Sequence, residues 1–395
     1  MFIILKVINL VAKNRHNPKM NERERYRNTL LFKKVDKVPF FPGHPRESTL
    51  KRWREEGLPE NTNWFDFICE KIGIKIEKRE KPRVNINVDF GPIPPFEEKI
   101  IEKKGSHLIV QTKKGEIVEI DERYDFSYLR GAKDFVTRKW HKFPVENEND
   151  WIDMKKRYNP LTPERIDPEI DKKADILKER DWVLEISLPG PFWQLRDWCG
   201  FENLCILMAE NEEFVVDMVN FWKDFVKEIL KKIVFKIEFD YVIINEDMAY
   251  KEKSMISPFM IRKFLMDCWS QWAGLLKESG CEIIICDSDG YIGEIIPIWI
   301  ESGINCTIPV EIAAGNDLIE YRKKFGKNMA YIGGIDKRKI AKGGSILKEE
   351  MDRIIPFLLK DGGYIPSCDH AVPPDISLKN FIEYCEYLAK LTNWI

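Results

Sequence analysis

Several things are scarce in this chain of 395 residues. It has five histidines, no Cys-x-x-Cys pair among nine cysteines, and no excess charge, with 63 basic against 65 acidic side chains. Each scarcity removes a class of protein. A net charge of −2 leaves no global basic field, which argues against a nucleic-acid partner or a membrane surface. The odd number of cysteines, several in apolar runs such as Glu282-Ile-Ile-Ile-Cys286, is the usage of a reducing compartment and predicts a cytoplasmic protein. No Gly-x-Gly-x-x-Gly or Walker-type loop follows an apolar run, which weakens dinucleotide-binding and P-loop readings. The longest N-terminal apolar stretch, residues 2–12, is too short to span a bilayer and lacks the basic start of a secretory signal. Residues 1–19 read as an N-terminal extension, with a docked segment as the alternative.

What the chain does have is a rhythm. After residue 160, short apolar runs alternate with helix-forming stretches, at 182–188, 241–244, 282–286, 305–309, 329–332 and 364–365. Runs without polar alternation suit strands buried on both faces, and their alternation with helices gives right-handed βαβ units and a parallel sheet. Residues 38–41 add another run. The count predicts an α/β fold, a closed (β/α)8 barrel, as one domain over residues 20–395. Residues 75–145 depart from the pattern. There 84–88 alternates, and the β-rich runs 107–112 and 116–120 flank Lys113-Lys-Gly115, a hairpin signal. This region reads as an antiparallel insertion near the barrel entrance.

Barrel enzymes draw their catalytic groups from the loops that follow the strands. Here those positions hold His44 and Arg46, Gln194 and Arg196, Glu246 and Asp247, Asp287 and Asp289, Glu311, Asp336 and Lys337, and Asp369 and His370. Acids dominate, and such a ring repels itself unless a cation or protons offset it. Asp287-Ser-Asp289 is the sharpest feature, because residues i and i+2 of an extended segment share a side and would aim two carboxylates together. The competing reading makes them caps of the next helix. Glu246-Asp247 reads as a base or substrate anchor, or as a capping pair. His370, in a proline-bounded polar loop, suits a ligand or acid/base role. Arg46 suits a carboxylate clamp, with Arg196 between Trp193 and Trp198 beside a flat apolar wall. Cys368 reads as a buried thiol rather than a thiolate ligand.

Taken together, Arg23-Glu-Arg-Tyr-Arg-Asn-Thr-Leu30, Val35-Asp-Lys-Val-Pro39, Asp287-Ser-Asp-Gly290, Pro309-Val-Glu-Ile-Ala-Ala-Gly315, Gly333-Gly-Ile-Asp-Lys337, Gly362-Gly-Tyr-Ile-Pro366 and Asp369-His-Ala-Val-Pro-Pro374 resemble the uroporphyrinogen decarboxylase superfamily. The resemblance runs over about residues 20–390 and implies a TIM barrel. It also implies one of two chemistries. One branch decarboxylates a tetrapyrrole without metal or cofactor, gripping substrate carboxylates with an arginine-rich first loop. In this chain that loop is Pro42-Gly-His-Pro-Arg-Glu-Ser48, which keeps Arg46 alone. The other branch is corrinoid-linked methyltransferases, which bind zinc through His-x-Cys and a distant Cys. Asp287-Ser-Asp289 resembles the first element in position and His370 the second, with the thiolates replaced by harder ligands.

The expectation is therefore methyl transfer from a small methylated donor to a corrinoid (cobalamin) on a partner protein. A divalent metal, zinc first, would sit at Asp287, Asp289, Glu311 and His370. Glu246, Asp247 and His370 would be the catalytic groups, and His44, Arg46, Arg196 and Asp336 the substrate contacts. The rivals are metal-free decarboxylation of a uroporphyrinogen-type tetrapyrrole and a barrel that binds a tetrapyrrole or corrinoid without turnover. The sequence leaves the oligomeric state open, a homodimer included.

Overall fold

The computed structural model describes residues 19–75, 83–131 and 133–395. The extension expected over residues 1–19 lies outside the described residues, apart from Lys19. Asn21 opens the helix Glu22–Leu30 with a capping box: its side chain accepts the Glu24 N–H at 2.8 Å, and Glu24 accepts the Asn21 N–H at 2.9 Å.

The departure from rhythm near residue 100 is an antiparallel sheet of four strands. These are β1 (Lys99–Lys104), β2 (His107–Gln111), β3 (Ile117–Asp121) and β4 (Lys139–Lys142), in the order β1-β2-β3-β4. Opposed residues such as Val110 and Val118 bury a small core of their own with Ile120, apart from the main one. Lys113-Lys-Gly115 forms the expected turn, with Gly115 at φ +95° and the Thr112 N–H closing on the Glu116 carbonyl at 2.9 Å.

The larger sheet has six parallel strands in sequence order, β5 (Glu185–Pro189), β6 (Tyr241–Asn245), β7 (Ile284–Asp287), β8 (Cys306–Ile308), β9 (Ala330–Ile335) and β10 (Tyr364–Cys368). Helices connect them. The longest, Glu212–Ile233, buries Phe214, Met218, Trp222, Phe225 and Ile229 at helical spacing, each worth roughly 1.5–3 kcal/mol of apolar burial. Asn211 ends the preceding helix Phe201–Glu210 and caps this one. One sheet face, with Ile186, Val242, Ile244 and Ile284, packs on the helices. The other face, with Ile283, Ile285, Cys306, Ala330, Ile332 and Ile365, packs on itself and on Leu30 and Val38. This alternation decides where each strand-end residue points.

Two expected strands do not form, and among the described residues no ladder closes the sheet into a ring. Residues 38–45 run beside β10, yet they make a single bridge, Pro45 to Val372. Pro39, Pro42 and Pro45 remove a donor at every third position, so a continuous ladder is impossible. Gly43 is required in this segment, at φ +106°, where a Cβ would lie 2.9 Å from the Cβ of Cys368. Residues 84–88 likewise make one bridge, Val88 to Ile166. All nine cysteines are free thiols, eight of them buried. No helix among the described residues is long and apolar enough to cross a membrane.

Candidate active site

The site lies where β6, β7, β8, β9 and β10 end. Asp287 is the last residue of β7 and continues the Ile283–Ile285 face, away from the helices. Its carboxylate accepts no hydrogen bond among the described residues. Burial, with Asp289 and Asp247 adding repulsion, pushes its pKa up to about 7, against the opposing pull of His370. Asp289 lies two residues on and accepts from His370 Nε2 at 3.1 Å. The i, i+2 reading of this motif therefore brings both carboxylates into one electrostatic cluster. Ser288 between them points the other way, fully buried, and accepts the Met248 N–H at 3.0 Å.

His370 is held on both sides. Arg46 Nη2 lies 3.4 Å from Nδ1, opposite the Asp289 contact at Nε2. A guanidinium can only donate, so Nδ1 accepts and Nε2 carries the proton in the neutral ring. Asp289 raises the affinity of the ring for a second proton, against burial. Taking that proton on Nδ1 turns the ring into a donor there and displaces Arg46.

Asp247 joins the cluster through its backbone. Its φ is +40°, and its N–H, like that of Glu246, donates to the Asp287 carbonyl. Burial and Asp289 raise its pKa, while Arg196, with Nη2 at 3.8 Å, opposes them. Arg196 also reaches the Glu246 carbonyl at 3.4 Å and stacks over Phe192 and Trp193. Glu311, after β8, accepts the Gly290 N–H at 3.0 Å and pairs with Lys337 Nζ at 2.6 Å. Asp369, wholly buried, accepts the N–H groups of Ile312 at 2.9 Å and Lys337 at 3.0 Å, tying together the loops after β8 and β9. Burial pushes its carboxyl up to about 6.

Three of the residues expected at the site are placed elsewhere. Glu246 continues the helix-facing side of β6 and is sealed at 0 % exposure. It accepts the Trp269 Nε1–H at 2.6 Å and the Trp193 N–H at 3.0 Å, so it cannot touch a substrate. Asp336, 2 % exposed, caps the helix Lys337–Lys342 and is taken by Arg338. His44 is exposed, with its ring edge-on to Trp64 and its carbonyl accepting the Val372 N–H. Cys368 faces the helix side with Tyr384, and burial pushes its thiol up to about 12, which leaves it inert. The role of Lys337 was missed. It stands in the mouth by sequence, but nothing in the sequence pairs it with a glutamate 26 residues earlier.

The four residues expected to hold a metal do not fit one as arranged. Among the described residues, no three His, Cys, Asp or Glu side chains come close enough to share an ion. Glu311 already neutralises the Lys337 ammonium, and His370 is spanned by Arg46 and Asp289. The repulsion of the acids is relieved by Lys337, Arg196 and Arg46, and by protons on the carboxyls whose pKa is raised. Such a mouth can give and take protons near neutral pH.

The chain is thus a mixed α/β protein with a six-stranded parallel sheet, an antiparallel annex and an acid-rich mouth. No family model and no curated protein matches it. Among solved structures it is similar to a methyltransferase from Methanosarcina mazei. The match has 13% identity and a TM-score of 0.53, and covers 94% of this chain and 99% of that one. At that identity the likeness establishes a shared fold. A B12-independent methionine synthase from Shewanella sp. W3-18-1, in complex with selenomethionine, overlaps 57% of this chain and 65% of its own, at 12% identity and a TM-score of 0.31, too distantly to bear on chemistry.

Proposed function

We propose that this chain is a methyl-transfer enzyme on a TIM barrel, moving a methyl group from a small oxygen- or nitrogen-bound donor to a corrinoid on a partner protein. The observation that carries the reading is the proton-holding cluster of Asp287, Asp289 and His370 at one strand-end mouth. A methyl group leaves an ether or amine slowly unless the departing heteroatom gains a proton. Protonated Asp287 is the donor of that proton: the carbon–heteroatom bond breaks, the methyl group passes to the acceptor, and the Asp287 proton moves to the leaving atom. His370, held by Asp289, returns a proton to Asp287. Arg46 and Arg196 orient the donor. The full-length fold likeness to a methyltransferase supports this choice.

Decarboxylation of a uroporphyrinogen-type substrate is less well served. Such a substrate brings several carboxylates, each repelled by the acids of the mouth, by on the order of 1 kcal/mol per pair at about 4 Å even in water. Arg46 and Arg196, the guanidiniums that would offset them, are shared with His370 and Asp247.

The test is anaerobic incubation with reduced cobalamin and a panel of methoxylated and methylated donors, followed by visible absorbance. A parallel uroporphyrinogen assay is read by chromatography. Methylcobalamin formation that Asp287→Asn abolishes supports the proposal. Stepwise carboxyl loss from uroporphyrinogen without methyl transfer overturns it in favour of a decarboxylase, and tight porphyrin or cobalamin binding with no product identifies a binding protein. Stoichiometric zinc in the purified protein, lost on His370→Ala, would overturn the proton-based reading and return the metal site first expected at Asp287, Asp289, Glu311 and His370.

A further inference from the structure

The antiparallel sheet joins the rest of the chain at two points that the proposed reaction does not use. One is the loop after β3. There the Tyr128 hydroxyl donates to Glu47 Oε1 at 3.0 Å, and the Glu47 N–H donates to the Lys133 carbonyl at 3.1 Å. Asp134 accepts the Ser48 N–H at 2.9 Å and its hydroxyl at 3.2 Å. Asp134 thereby caps the helix Glu47–Glu55, whose own N-cap residue, Arg46, supplies no side-chain cap. The other point is the turn before β3, where Lys114 pairs with Asp197 on the helix Pro191–Cys199, one residue beyond Arg196. Nearby, the Val145 N–H donates to the Trp198 carbonyl at 2.9 Å, and the Phe143 ring fills the space that Gly200 leaves by having no Cβ.

The two anchors flank β3 in sequence, Lys114 three residues before it and Tyr128 and Asp134 seven and thirteen residues after it. β3 pairs with β2 along all five residues and with β4 at Ile117, Val118 and Glu119, and its buried residues Val118 and Ile120 belong to the separate small core. A strand of five residues braced in this way is a rigid rod, about 17 Å long at 3.4 Å per residue. The elements fastened to the sheet on either side of this strand are those that carry the two arginines of the mouth.

We propose that the four-stranded sheet is a strap that holds Arg46 and Arg196 at a fixed separation, with Asp134 and Lys114 as the positioning residues at its ends. The strap acts as one body, so releasing either end loosens both arginines. This is independent of the reaction assigned to the mouth. An arm that changes only its neighbouring arginine is a local cap or ion pair and nothing more.

The experiment uses the full chain and phenylglyoxal, an arginine-selective reagent, with modification of each arginine followed by peptide mass spectrometry. Asp134→Ala and Lys114→Gln are each expected to raise the reactivity of both Arg46 and Arg196, by roughly fivefold for loss of a cap, while exposed Arg123 stays constant as the internal reference. Asp134→Asn, an equally good cap, is expected to restore protection. The His370 ring-nitrogen resonances should move in both variants, because Arg46 lies against Nδ1. If Asp134→Ala does not fold, Lys114→Gln alone decides through Arg46, the arginine held by the other anchor. Reactivity that rises only at the nearer arginine, or at neither, overturns the proposal.

Discussion

Glu246 offers the most quantitative test of how the structure treats charge. Its carboxyl is sealed between the helix Pro191–Cys199 and Trp269, with two N–H donors aimed at it. Burial pushes its pKa from 4.5 up to about 7, although the Trp193 and Trp269 donors pull the other way. The folded protein therefore binds a proton there that the unfolded chain releases at lower pH. Stability linked to this group is full below pH 4.5 and is lost as pH rises through about 7. At about 1.4 kcal/mol for each tenfold change in proton activity, the loss is roughly 3 kcal/mol. Glu246→Gln removes the titration. It also turns one acceptor oxygen into an amide facing an N–H donor, which costs roughly 1–3 kcal/mol at any pH. Urea unfolding of both proteins from pH 4 to 8.5 should show the variant weaker in acid and closing the gap by roughly 3 kcal/mol on the alkaline side. A difference between the two that stays flat across that range would falsify the reasoning, and would mean that Glu246 is charged throughout.

Gly190→Ala should destabilise by roughly 2 kcal/mol or more, because its Cβ would lie 2.1 Å from the Glu246 carboxyl carbon; chemical unfolding measures it, and an unchanged midpoint refutes the crowding. His370→Gln should lower methyl transfer by on the order of 10²–10⁴ with the melting temperature retained, and a loss smaller than tenfold removes His370 from proton handling. The wild-type pH–rate profile should bend downward above about pH 7, where Asp287 loses its proton; a rate that climbs through that region excludes Asp287 as the acid. Glu311→Gln should leave Lys337 unpaired and draw its pKa down, read as faster acetylation of Lys337 at neutral pH.

Much of the sheet was legible because buried parallel strands carry an unmistakable signature. The six apolar runs after residue 180 became β5 to β10, and Lys113-Lys-Gly115 became the hairpin turn. The ring closure was less legible. Residues 38–41 look like strand by hydrophobicity, while the prolines at 39, 42 and 45 decide the hydrogen bonding. At the mouth, the period of two put Asp287 and Asp289 on one side of the chain, where Asp289 raises the Asp287 pKa and accepts from His370. The same period would have placed Glu246 on the helix side, with Ile244, had it been carried one step past the strand end. Asp336 was misjudged because a cap and a substrate anchor look alike until Arg338 is seen to occupy it. The Lys337–Glu311 and Lys114–Asp197 pairs join residues far apart in sequence, and no local pattern encodes them.

The positive φ of Asp247 restricts which descendants of this chain can exist. At φ +40° the left-handed region admits glycine, asparagine and aspartate with little penalty and resists branched side chains. Substitution there is therefore funnelled by the backbone. Asparagine keeps the turn and removes a charge from the mouth, glycine removes the side chain altogether, and valine or isoleucine forfeits the turn itself. The neighbour on the other side of that torsion, Glu246, is hemmed in by the Trp269 indole, the Trp193 backbone N–H and a glycine, and has no comparable freedom. A lineage built on this turn can retune the charge of its mouth through a single position, in steps that leave the helix layer behind it undisturbed.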